Sequence, residues 1–185
     1  MIELIMAMAL FTFMMAIFSL GFIQIMKIYQ SGVSSRRTQT AARLTMEDIS
    51  REVRAAKYID VATTGANSRL CLRGDQIVDY VWDSNAGSLS LTKKTYSGSC
   101  ASPPAGGTVL LGDGGYLNDN VQVRKFDNVF INDSLGNSSS VQVSLQLTTG
   151  AVDLISGTVC NPAVKGSQFC SATALTNTIT LRGGQ

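Results

Sequence analysis

From Met1 to Met26 the chain carries almost nothing but apolar and small side chains. The exceptions are Glu3, Thr12, Ser19 and Gln24, and Glu3 is the one charge. A run of that length crosses a bilayer, for which about 20 apolar residues suffice. After Lys27 polar residues return without a proline to stop a helix, and Ala42, Met46, Ile49, Val53 and Ala56 recur at alternating steps of four and three. That spacing places one buried stripe on an otherwise polar helix. Arg43 with Glu47, and Glu47 with Arg51, stand at the i,i+4 separation that supports the exposed side. The pattern predicts one helix over residues 1–58, apolar over 1–26 and amphipathic over 27–58, about 87 Å long at 1.5 Å per residue.

Beyond the helix the period changes from 3.6 to 2. Residues 62–68 are a loop by composition. Residues 69–73, 76–82 and 88–92 alternate apolar and polar positions and read as strands of a meander, with a turn at 83–87. Residues 100–107, with Pro103 and Pro104, form a loop, and 108–111 a brief apolar run. A second strand group comprises 121–123, 128–131 and 141–147, with a loop of Asn, Asp, Ser and Gly over 132–140. Residues 150–173 are irregular, and a last strand spans 175–181. A sheet with one apolar face must cover it, and the 42–56 stripe is the amphipathic helix available to do so. The expected fold is therefore α+β: an antiparallel sheet laid across the outer half of one long helix, with residues 59–185 as a β-rich head.

Composition narrows the chemistry. The net charge is +2, from 15 basic and 13 acidic residues, too balanced to single out nucleic acid or a membrane surface. Histidine is absent, which removes the usual general base, the commonest metal ligand and the usual switch near neutral pH. Four cysteines, Cys71, Cys100, Cys160 and Cys170, are even in number and none has CxxC spacing. Behind a membrane segment they read as two disulfides in an oxidising compartment. Three pairings are open, and the sequential one, Cys71 with Cys100 and Cys160 with Cys170, is the most economical. An ordinary signal peptide would show a basic region before its apolar core and a small-residue cleavage site after it. No Lys or Arg precedes Lys27 and the helical pattern runs on, so the front is expected to be already processed and its apolar segment retained.

The opening Met1-Ile2-Glu3-Leu4-Ile5-Met6 resembles the start of mature type IV pilins and type II secretion pseudopilins, in which an apolar helix carries one near-terminal glutamate. The family normally has two further residues before this stretch; either the numbering starts two residues inside the mature chain, or Met1 is its first residue and the glutamate sits closer to the amine than usual. Residues 38–44 and 49–56 resemble the second helical half of the larger minor pilins and pseudopilins. The resemblance implies the same ladle-shaped α+β fold and a structural subunit of a type IV pilus, polymerising through its apolar helix into a filament of identical subunits at the cell surface. Before assembly it would sit as a single-pass protein in the cytoplasmic membrane, served by a prepilin peptidase and the pilus assembly machinery. For Glu3 the resemblance supplies a partner, the N-terminal amine of the adjacent subunit. The other reading of Glu3 is an acid complementing the helix dipole in the first turn. The alternatives for the whole chain are a minor pilin or pseudopilin of a secretion or competence system, and a membrane-anchored extracytoplasmic binding domain that never polymerises.

The remaining candidates have plain readings beside functional ones. Gly21 is either a close-packing glycine or, as the resemblance suggests, a weak point at which the helix melts in a filament. Asp113, Asn118, Asp119 and Asn120 gather oxygen ligands within eight residues, but not at the spacing of a helix-loop-helix calcium site, and a polar turn is expected. Lys93-Lys94 and Arg124-Lys125 are a weak footprint for DNA and are expected to line a solvated strand edge. Asn132-Asp133-Ser134 and Asn137-Ser138-Ser139 match the glycosylation acceptor, as loops rich in Asn and Ser do by chance. No catalytic constellation, cofactor site or metal site is expected.

Overall fold

The computed structural model describes residues 2–63, 68–82, 89–101, 104–112, 115, 121–132, 138–150, 154–156, 159–161, 163–164 and 166–181. One helix, α1 (Ile2–Ala55, 54 residues), is about 81 Å long at 1.5 Å per residue. It is followed by β1 (Tyr58–Thr63), β2 (Arg69–Arg73), β3 (Ile77–Trp82), β4 (Leu91–Tyr96), β5 (Thr108–Leu111), β6 (Val121–Asn132), β7 (Ser138–Thr149), the short β8 (Ile155–Ser156) and β9 (Val159–Cys160), a 3-10 turn (Ser167–Phe169) and β10 (Ser171–Thr180).

The α+β class is as expected: one long helix, antiparallel sheet and two disulfides. Its sheet is divided. β1 to β5 form a five-stranded meander in sequence order, while β10, β7 and β6 form a separate three-stranded sheet with β7 in the middle. Both sheets are antiparallel throughout. They are joined where Trp82 Nε1 donates to the Val123 carbonyl (2.9 Å), where Val123 N donates to the Leu89 carbonyl (2.7 Å) and where Asn128 Nδ2 reaches Ser68 and the Arg69 carbonyl.

The helix ends three residues earlier than its periodicity predicts. Nothing local stops it: no glycine or proline stands at the boundary, and Ala56 N still donates to the Glu52 carbonyl (2.9 Å). What ends it is strand pairing. Lys57 N donates to the Arg73 carbonyl (2.8 Å) and Tyr58 is set opposite Arg73, so Tyr58 opens β1, a strand that the loop-like composition of 62–68 concealed. Cys71 consequently lies in the second strand after the helix. The third predicted strand slides from 88–92 to Leu91–Tyr96. The segments 121–123 and 128–131 prove to be one twelve-residue strand, with a register shift between Val123 and Lys125 that a period-2 reading takes for a break.

The core lies where the outer half of α1 meets the inner faces of both sheets. The whole stripe Ala42, Met46, Ile49, Val53 and Ala56 is buried, against Leu70, Leu72, Tyr80, Trp82 and Leu91 of the meander and Val123, Phe126, Val143, Leu145, Leu147 and Ile179 of the three-stranded sheet. The stripe is wider than its apolar members. Thr38, Thr45 and Ser50 are also buried, and Thr38 and Thr45 satisfy their hydroxyls by donating back to the carbonyls four residues earlier (2.9 and 2.8 Å). Small side chains at these positions let strands approach the helix closely.

The bridges join Cys71 to Cys100 and Cys160 to Cys170, with Cα–Cα distances of 6.2 and 5.8 Å, the sequential pairing. The first ties the chain after β4 onto the outer face of the meander, over Ile77 and Tyr96. The second ties β9 to the residue that precedes β10. Gly107 serves the closure after β4: its φ is +137° and a Cβ there would lie 2.7 Å from Thr92 Cγ2, so a side chain is excluded twice over.

Candidate functional site

Every side chain from Ile2 to Gly32 is exposed, and from Val33 onward the helix begins to be covered. The large apolar residues from Ile2 to Tyr29 keep between 42% and 74% of their surface in solvent. An apolar surface of this extent is far beyond what a soluble monomer tolerates. Along Ile2–Met26 the helix is about 37 Å long, more than the roughly 30 Å of a bilayer's hydrocarbon core. Its few polar groups are handled internally: the Thr12 hydroxyl donates to the Ala9 carbonyl and the Ser19 hydroxyl to the Met15 carbonyl, both at 2.9 Å.

Glu3 has no such internal partner among the described residues. It lies in the first turn of α1, separated from the next charged residue, Lys27, by 23 uncharged positions, or about 36 Å of helix. Gly21 lies within unbroken helix, and a Cβ there would meet nothing within 4 Å. Structurally the site is a rod of exposed apolar side chains with one carboxylate at its far end and a disulfide-bridged head at the other.

The rod's orientation relative to the head is held by a polar cluster that the sequence did not reveal. Lys93 of β4 donates to both oxygens of Asp48 (3.1 and 2.9 Å) and to Glu52 (2.9 Å), and the Tyr80 hydroxyl donates to Asp48 at 2.7 Å. The Lys93 ammonium also stands 5.6 Å from the centre of the Tyr80 ring. Arg51 closes the cluster from outside, 2.8 Å from Asp48. This replaces two expectations. Lys93 does not line a solvated strand edge, being only 18% exposed. Arg51 pairs with Asp48 at i,i+3, not with Glu47 at i,i+4.

The charges support one another in this cluster. Burial alone would raise the Asp48 pKa, but hydrogen bonds from Tyr80 and Lys93, with the positive charges of Lys93 and Arg51, outweigh it and hold the carboxyl below its ordinary range. Burial disfavours the Lys93 ammonium, yet hydrogen bonds to Glu52 and Asp48 hold its pKa above the ordinary lysine value. Burial and then the bond to Asp48 push the Tyr80 phenol far up.

A second cluster lies under the Cys71–Cys100 bridge. Asp79, fully buried, receives Arg69 through Nε and Nη2 at 2.7–2.9 Å, and Arg69 also reaches the Tyr96 hydroxyl and the Cys100 carbonyl. Such a forked pair is directional, and here it fixes the closing segment over the sheet. Elsewhere Lys94 donates to the Pro104 carbonyl (2.9 Å), Arg124 bonds Gln122 and Thr148, and Lys125 pairs with Asp127. Each of the four basic residues is thus held by a different set of partners. Asp113 and residues 118–120 lie outside the described residues, as do 133–137 of the two glycosylation matches. Among the described residues no three His, Cys, Asp or Glu side chains are placed to hold a metal.

No family model and no curated protein matches this chain. Among solved structures it is similar to a type IV-like pilin from Thermus thermophilus, at 12% identity and a TM-score of 0.48, over 77% of this chain and 96% of that one. A likeness of that size fixes neither partner nor activity.

Proposed function

We propose that this chain is a structural subunit of a pilus-like filament. In this reading it waits in the membrane as a single-pass protein and assembles with copies of itself through residues 2–26, while the head faces the outside. The observation that carries the reading is the exposed apolar rod with a single carboxylate at its end, built continuously into a disulfide-tied head. An anchor needs apolar length but no acid. An acid that enters lipid is costly, and intramembrane acids usually have partners. A neighbour's N-terminal amine would give Glu3 that partner and set the stagger between helices as they leave lipid. Export and processing would fall to a prepilin peptidase and the assembly machinery.

Replacing residues 4–25 with an unrelated apolar helix of equal length tests this. The chimera should reach the membrane with its head folded and fail to form filaments. A chimera that keeps the chain's full activity would show that the rod is only an anchor and that the protein is a tethered binding domain.

A further inference from the structure

The two outer edges of the three-stranded sheet are unequally guarded. The β6 edge is met by the start of the meander, with Asn128 bonded to Ser68 and Arg69, and β6 carries Arg124, Lys125 and Asp127. Among the described residues, β10 at the other edge is hydrogen-bonded as a strand on one side only, to β7. It runs ten residues, Ser171–Thr180, with no charge and no proline. Natural edge strands are usually shortened, charged or covered, because a free row of N–H and C=O groups recruits another strand. Ala172, Ala174, Thr176 and Thr178 are exposed along β10.

Beside this strand runs a groove of about 680 Å³. Its β wall is Leu175, Thr176 and Asn177 and its other wall is α1; because successive side chains of a strand point to opposite faces, a wall of three consecutive residues meets β10 along its edge. The helix wall presents Arg43 and Arg54, with Arg51 already paired to Asp48, against a single acid, Glu47. The floor is fixed: Met46 is buried and Asn177 Nδ2 donates to the Ser50 hydroxyl at 3.3 Å.

We propose that this groove takes an extended acidic segment of another polypeptide, which adds to β10 as a fourth strand and turns its carboxylates toward the arginines of α1. Two independent features point to that occupant. The bare strand edge selects an extended backbone, and the excess of arginine selects acidic side chains along it. The site lies on the head and does not depend on assembly through the rod.

The test uses the full chain in detergent and a synthetic ten-residue peptide alternating valine or threonine with glutamate. Binding is followed by fluorescence anisotropy against two controls: the same peptide N-methylated at alternate amides, and the variant R43E/R54E. The proposal expects saturable binding, at least tenfold weaker for the N-methylated peptide and at least tenfold weaker for the variant, whose unchanged melting temperature shows an intact fold. Equal binding of the N-methylated peptide would overturn strand addition and leave charge alone. Equal binding by the variant would overturn the assigned groove. No binding at millimolar peptide would overturn the proposal outright, and a dimer of the chain that excess peptide does not displace would assign the edge to a second copy.

Discussion

The two halves of α1 share one backbone and differ in what covers them. Between residues 33 and 55 the helix is wrapped by two sheets, and its buried positions include Thr38, Thr45 and Ser50 as well as the apolar stripe. Between residues 2 and 32 every side chain is exposed. The covered half has one apolar face because its own chain supplies the partner; the bare half is apolar all round, as a helix is when lipid or other helices surround it. Hydrophobicity alone therefore does not mark a core. The angular spread of the apolar residues separates a helix that its own chain covers from one that must be covered by something else.

The sharpest way to break the comparison is to make the same change in both halves. Ile49→Ala removes a fully buried side chain and should cost the head about 2–5 kcal/mol, whereas Ile17→Ala should leave the head's urea unfolding midpoint unchanged. Equal effects would mean that the bare half is packed after all.

The head's dependence on its bridges should be next in size. Chain-entropy arithmetic for separations of 29 and 10 residues gives about 3.6 kcal/mol for Cys71–Cys100 and about 2.7 kcal/mol for Cys160–Cys170. Serine pairs at each bridge, compared by thermal unfolding, should fall in that order. The bare helix should keep its far-ultraviolet signal in detergent in both variants.

Smaller again is the pin between helix and meander. Lys93→Met leaves Asp48 and Glu52 facing each other partly buried, and should cost about 1–3 kcal/mol. The pin also predicts two pH limits. The folded pKa of Asp48 is depressed, so its contribution is complete above the ordinary aspartate value and is lost as pH falls below about 4. The folded pKa values of Lys93 and Tyr80 are raised, so theirs is complete below their ordinary values and is lost as pH rises beyond about 10. Stability measured against pH should show both shoulders in the wild type and a reduced alkaline one in Lys93→Met.

The smallest effect belongs to Gly21. Gly21→Ala meets no atom within 4 Å and should stabilise the isolated helix by about 1 kcal/mol. Unchanged assembly would argue against both close packing and melting at this position.

Much of this division could be read along the sequence. The apolar run, the 42–56 stripe and the even cysteines each carry a local signature, and each led to the right element. What escaped was set by contacts distant in sequence. Tyr58 pairs with Arg73, so the helix stops early; Asp48 meets Lys93, 45 residues on, and Asp79 meets Arg69 across a hairpin. Thr38 and Thr45 were passed over because a hydroxyl that bonds its own helix counts as polar in any periodicity. The one-sheet expectation failed for a related reason: alternation tells which way a side chain faces, not which strand lies beside it. Glu3 was legible because one charge in 26 residues needs no fold to stand out.

The central claim is that the bare half is completed by other copies of itself, with Glu3 paired between neighbours. Electron microscopy of cells expressing the wild type and Glu3→Ala at equal membrane levels tests it most directly. The account predicts filaments from the wild type and few or none from the variant, since an unpaired amine would have to enter an apolar core. Filaments of normal number and length from Glu3→Ala would contradict it.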